Sequence, residues 1–183
     1  MANKYIDGKY MKWEDVDFDK FKALAGKYPK MFSKYIQTEY GVPYDILNYT
    51  ETGGTYAIEL KSRNVKFDDC FIEWDKFSKL RELWRNRCVL PVYICFYDDE
   101  TYMWLLNEVC SITPYLNATI SDREGGFFEG DRVGLQFSEA YRFDRDFNIT
   151  YRPDNINKAT TAPKGTPPEE MERTVNKYNW YMV

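Results

Sequence analysis

Asp45, Glu59 and Lys61 are the residues of this sequence whose types and spacing could do chemistry. Glu59 and Lys61 lie two apart at the end of a largely apolar segment, Thr55 to Lys61. On a strand, residues two apart project from one face. Glu51-Thr52-Gly53-Gly54 reads as a turn before that strand, and Tyr44 to Tyr49 as the strand before the turn. Antiparallel pairing would set Asp45, near the start of the first strand, beside Glu59, near the end of the second. Two carboxylates and an ammonium at one sheet edge suit a hard divalent cation, magnesium or manganese, which keeps several waters and takes a substrate phosphate. Such a cation acidifies a bound water and neutralises phosphate charge. Lys61 would orient the attacking water or stabilise charge in the transition state.

Composition narrows the alternatives. The chain has no histidine, which removes Ser-His-Asp triads, Cys-His pairs and any nuclease with an imidazole base. Cys70, Cys88, Cys95 and Cys110 form no C-x-x-C pair, which argues against zinc knuckles, fingers and deaminases. Cys88 and Cys95, in or near an apolar strand, are expected in the core. The formal net charge of −4 does not favour a broadly basic nucleic-acid surface, but a local basic strip can coexist with a negative total. No apolar run approaches bilayer length and residues 1–7 lack a signal core, so the expectation is a cytoplasmic protein that is neither secreted nor membrane-bound.

The elements that must position the three residues follow from periodicity. Residues 13–38 read as helical, with Phe18, Phe21, Leu24 and Ala25 at helical spacing. After Gly26 and Pro29, a second helix is expected, with Met31, Phe32, Tyr35 and Ile36 on one face. Asn64 to Cys70 reads as a polar connection and Phe71 to Arg87 as a helix with Ile72, Phe77, Leu80, Leu83 and Trp84 inward. Val89 to Tyr97 is the most apolar strand and reads as a central one covered on both faces. Asp98-Asp99-Glu100 turns the chain into a returning strand, Thr101 to Val109. Residues 111–140 are less clear, with one strand expected at Arg132 to Phe137, and Asp144 to Asn157 reads as loop. The division is a domain over 1–145 and, over 146–183, a linker (Ala159 to Pro168) with a C-terminal docking segment carrying Tyr178, Trp180 and Tyr181. The order helix, hairpin, helix, hairpin implies an α/β (α+β) fold with a mixed sheet and flanking helices.

Pro43-Tyr44-Asp45, then Ile58-Glu59-Leu60-Lys61 at the end of a hairpin, then a helix and an apolar strand, resembles the PD-(D/E)XK nuclease superfamily. The resemblance covers roughly residues 30–110. One departure is Tyr44, inserted between Pro43 and Asp45. The resemblance implies a restriction-endonuclease-like core, as in Holliday-junction resolvases, and a magnesium-dependent nuclease, with manganese able to substitute. It implies Asp45 and Glu59 as metal ligands, Leu60 as a carbonyl ligand and Lys61 as assistant to the attack. An acid from the preceding helix often joins such a site, and Glu39 is the nearest. The following helix often supplies a polar residue, for which Lys76 and Lys79 are the candidates, each suited to phosphate contact. DNA is the implied partner. A homodimer stays open because many relatives cut two strands, and the family points to a bacterial or phage-infected cell.

Each feature also has a plainer reading. Glu59 and Lys61 could be an exposed ion pair, worth little. Asp45 could cap a turn, Glu39 could be a solvated helix end, and Asp68 and Asp69 could cap a helix. Lys76 to Arg87 could be a solvated helix face. The alternative function is a nuclease-fold module with little turnover, for instance in a phage particle, docking a protein partner through its aromatic C-terminal segment.

Overall fold

The computed structural model describes residues 9–38, 42–121 and 127–153. Glu39, the expected linker and the aromatic C-terminal segment lie outside them. Helix α1 spans Lys9–Lys27 and ends just before the Tyr28-Pro29 step, where proline disfavours helical backbone in the preceding residue. Strands β1 (Lys34–Gln37), β2 (Ile46–Tyr49) and β3 (Thr55–Ser62) follow, then β4 (Asp69–Glu73), helix α2 (Trp74–Arg87), β5 (Leu90–Phe96) and β6 (Glu100–Leu105). A long hairpin of β7 (Ile112–Ser121) and β8 (Phe127–Gln136) comes next, then a 3-10 turn at Phe137–Glu139, β9 (Tyr141–Asp144) and β10 (Ile149–Tyr151).

Seven strands form a mixed sheet in the order β1-β2-β3-β5-β6-β9-β10, and β4-β8-β7 form a second sheet. The β2–β3 hairpin is antiparallel, α2 carries the chain across to β5, and β5 lies parallel to β3. Parallel neighbours require such a crossover. The fold is therefore α/β with a mixed sheet, and the order helix, hairpin, helix, hairpin is present with β1 and β4 added to it.

Both faces of the large sheet are covered. On one face α1 packs Phe21, Leu24 and Ala25 against Ile46, Ile58, Leu60, Val92, Ile94 and Phe96. On the other, Phe77 and Leu80 of α2 and Cys70, Ile72, Val133 and Leu135 of the small sheet pack against Ala57, Tyr93, Cys95 and Trp104. Strand β5 sits fourth of seven and is buried from Pro91 to Phe96, which accounts for its unbroken apolar run. The Trp104 indole N–H donates to the Gln136 carbonyl (2.9 Å) and ties the two sheets together.

Several elements differ from the sequence reading. The second helix expected from Pro29 is strand β1. Tyr35 packs edge-on to Phe21, with centroids 5.1 Å apart, whereas Ile36 is 52% exposed, the alternation of a strand. The expected helix start at Phe71 is strand, and helix begins at Trp74. Asp69 caps no helix. It is buried in β4, where it accepts from Tyr115 (2.9 Å) and Gln136 (2.5 Å). Strand β6 stops at Leu105, short of the expected Val109. Strand β10 extends the sheet into a segment read as loop, past the expected boundary at 145/146. Cys95 is buried as expected, but Cys88 is exposed and caps α2 in the left-handed conformation (φ 53°). Among the described residues no helix is long and apolar enough to cross a membrane.

The small sheet depends on one close approach. A Cβ added at Gly134 would lie 2.6 Å from Asp69 Oδ2 and 2.8 Å from Tyr115 Cε2. Gly134→Ala should lower stability by about 1–3 kcal/mol, the usual cost of overpacking. The check is the urea midpoint followed by circular dichroism; an unchanged midpoint would contradict the packing.

Candidate active site

The site forms because β2 stops before β3 does. Ile46 pairs with Ile58, and continuing that register sets Asp45 opposite Glu59, although the strand proper begins at Ile46. The Asp45 N–H still donates to the Ile58 carbonyl (2.9 Å). Its Oδ2 accepts the Leu60 N–H (2.7 Å), so a side chain replaces the next ladder bond. A strand residue's N–H and C=O leave on the same side. The Leu60 carbonyl therefore faces the Asp45 side, beyond the end of β2.

Alternation along β3 sends Ile58 and Leu60 toward α1 and Ala57, Glu59 and Lys61 toward α2. Glu59 is 4% exposed. Its Oε1 accepts from the Lys76 ammonium of α2 (2.5 Å), while its Oε2 is buried without a hydrogen-bond partner. Burial, with the Asp45 charge behind it, pushes the Glu59 carboxyl up to about 8, against the opposing pull of Lys76 and Lys61. Burial works against Lys76 too, but Glu59, Glu73 and Asp45 raise its pKa overall.

A further acid, Glu73, stands at the junction of β4 and α2. Burial alone would raise its pKa, yet the charges of Lys61 and Lys76 hold it below the usual carboxylate range. Lys61 acts on both Glu59 and Glu73. Lys76 lies in the first turn of α2, where the helix dipole disfavours a cation. The surrounding carboxylates offset that cost.

The structure thus brings Asp45, Glu59, Leu60 and Lys61 to one edge, and Lys76, one of the two candidates from the following helix, joins them. Lys79 is turned elsewhere: it pairs with Asp75 (2.6 Å) on the exposed side of α2. Glu73 is not legible as a site residue in the sequence, because Phe71 to Arg87 reads there as one helix, whereas Glu73 ends β4. The alternation of Cys70 and Ile72 inward with Asp69, Phe71 and Glu73 outward was the available signal.

A divalent cation would be held here by Asp45, Glu59 and the Leu60 carbonyl. The orphaned Glu59 Oε2 beside a second carboxylate fits a hard ion that keeps most of its ligands as water and phosphate. Among the described residues no group of three or more His, Cys, Asp or Glu is arranged to hold a metal. Carbonyl and water oxygens would therefore complete the shell.

No protein-family model and no curated protein sequence matches the chain. Among solved structures it is similar to Hjc, a Holliday junction resolvase from the archaeal hyperthermophile Archaeoglobus fulgidus. The identity is 14% and the TM-score 0.39, over 67% of this chain and 94% of that one. A likeness this distant adds nothing to the chain's own geometry.

A carboxyl whose folded pKa is raised holds a proton that the unfolded chain has lost. Its stabilising contribution is whole below the unfolded value, near 4.5, and is lost as pH rises through about 8. Glu59→Gln, which stays neutral, should therefore be more stable than the parent at about pH 8.5 and nearly equal to it at about pH 4.5. Urea midpoints at both pH values check this, and a difference independent of pH would refute the buried acid.

Proposed function

We propose that this protein is a metal-dependent nuclease that hydrolyses phosphodiester bonds in DNA, with magnesium as the ion and manganese able to replace it. One observation carries the reading: Glu59 Oε2 is buried without a partner beside Asp45, on the edge where the Asp45 carboxylate takes the Leu60 N–H in place of a ladder bond. A buried carboxylate with one oxygen left unpaired is costly even when the other is on an ammonium. A site that binds a cation has a reason to keep one.

The chain's own residues supply the remaining parts. Asp45 is fixed by the Leu60 N–H, so its carboxylate does not reorganise when an ion enters. Lys61 projects from the same face as Glu59, close to where a phosphate would sit, and is suited to orient water or to hold developing negative charge. Lys76 now neutralises Glu59. With a cation held at Asp45 and Glu59, the Lys76 ammonium would be able to turn toward a phosphate oxygen on its flexible stem. A bound ion would supply the acidified water and part of the charge neutralisation.

The Lys76 contact also favours the second reading, a nuclease-fold module with little turnover. An ammonium 2.5 Å from Glu59 Oε1 already satisfies half of that carboxylate without metal. Calorimetric titration with magnesium or manganese separates the two readings, because only the first requires binding that Glu59→Ala abolishes.

For activity, Glu59→Ala and Lys61→Ala should each cut the cleavage rate of labelled DNA by at least about 10²–10³-fold in manganese while the fold is kept. Chelator should stop the parent enzyme. An unchanged rate in either folded variant would remove the mechanism.

A further inference from the structure

We propose that the outer face of the small sheet holds an unpaired base next to the scissile phosphate, so that the substrate is single-stranded or frayed at the cut. This deepens the hydrolytic reading above and rests on it. Cys70, Ile72, Val133 and Leu135 turn inward to the core, so their neighbours on β4 and β8 face out.

That outer face carries a strip of rings. Phe67 is 57% exposed, an unusual place for a phenylalanine. Its ring lies 6.0 Å from that of Phe71, and Phe71 lies 5.0 Å edge-on from Tyr115. The Arg132 guanidinium stands 5.9 Å over Phe71. The strip is built rather than incidental. Asp69 accepts from the Tyr115 hydroxyl, and the missing side chain at Gly134 leaves room for the Tyr115 ring against the sheet.

The strip is continuous with the acids and lysines. Phe71 and Glu73 are successive outward residues of β4, about 6.8 Å apart along the strand, a distance comparable to one sugar–phosphate unit. Glu73 pairs in register with Arg132 and lies in the field of Lys61 and Lys76. A strand whose phosphate sits at Asp45 and Glu59 would bring its neighbouring base onto Phe71. Aromatic faces accept any base, and a guanidinium beside them suits the adjoining phosphate. Two acids of this face are engaged, Asp69 by Tyr115 and Gln136 and Glu73 by the charge of the lysines, while Asp68 is exposed beside Tyr115. In an intact duplex the bases are stacked on one another and cannot reach these rings.

Binding of a short fluorescein-labelled oligothymidylate, alone or paired with its complement, can be followed by anisotropy in chelator so that nothing is cut. The single strand should bind more tightly than the duplex. Phe67→Ser and Phe71→Leu should each weaken single-strand binding roughly ten-fold and leave duplex binding unchanged. Phe67 is exposed enough that its replacement spares the fold. Equal affinity for both forms, or single-strand binding that neither folded variant alters, would overturn the proposal. Failure to bind either form would do so too and leave the rings to a protein partner. Cleavage in manganese is scored separately. Single-strand binding by the rings without cleavage upholds the strip and removes the hydrolytic reading, whereas cleavage that ignores strand form does the reverse.

Discussion

Glu59 is an acid held under the rim of a sheet, with one oxygen on Lys76 and the other on nothing. Much of the surrounding architecture can be traced to that placement. The carboxylate is buried because β3 is covered on the α2 face by that helix and the small sheet, and on the other face by α1. It lies where the β2 ladder gives out one residue short of it, and the Asp45 side chain meets Leu60 in place of a strand backbone. Burial without access would make an inert charge. Access without burial would make an exposed ion pair worth under about 1 kcal/mol.

The two flanking lysines are held differently. Lys61 is a strand residue, and its position is set by the pairing of β3 with β5. Moving it requires a shift of register, which would turn Ile58 and Leu60 out of the core. Lys76 hangs from the first turn of a helix on a stem with four rotatable bonds, and its head is held at Glu59 by the ion pair rather than by the backbone. One cation is thus positioned by the backbone and the other by electrostatics alone. The dipole at the start of α2 opposes a positive charge there. Lys76 is retained at that place by the acids it faces, which makes it a reporter on their charge.

The parts of the fold legible in the sequence were those in which one period dominates. Val92 to Phe96 is apolar at every position because both faces of β5 are covered, and it reads as a central strand from sequence alone. The Glu51 to Gly54 turn and the alternation after it set Asp45 against Glu59 in the sequence itself, as does the β2–β3 register continued by one residue. Elsewhere two periods compete. Met31, Phe32, Tyr35 and Ile36 satisfy a helical spacing, but Phe32 precedes the strand and Ile36 points outward, so the match is an accident of a short edge strand. Strand β7 was hidden for another reason. Pro114 interrupts its pattern, and the register shifts between Tyr115 and Ala118 around Asn117, whose φ is 51°. A bulge of that kind breaks the alternation that would have revealed the strand. The strand expected at Arg132 to Phe137 is the second half of β8, but without β7 beside it the sheet to which β4 belongs is not legible, and neither is Glu73.

Glu73 shows why the site needs both sheets. Strand β4 pairs only with the small sheet, yet it runs straight into α2, the crossover helix of the large one. The residue at that junction belongs to neither sheet's core and is carried to where they meet. Arg63 secures the same seam from the other side: its guanidinium donates to the Phe71 carbonyl, which also accepts from the Tyr93 hydroxyl (3.1 Å). The end of β3 and the free edge of β4 are thereby held side by side. The acids at the end of one strand and the rings on the next then form one surface. A loop in place of β4 could have connected β3 to α2 just as well, but it would not have set Phe71 and Glu73 two residues apart on a single face beside Glu59.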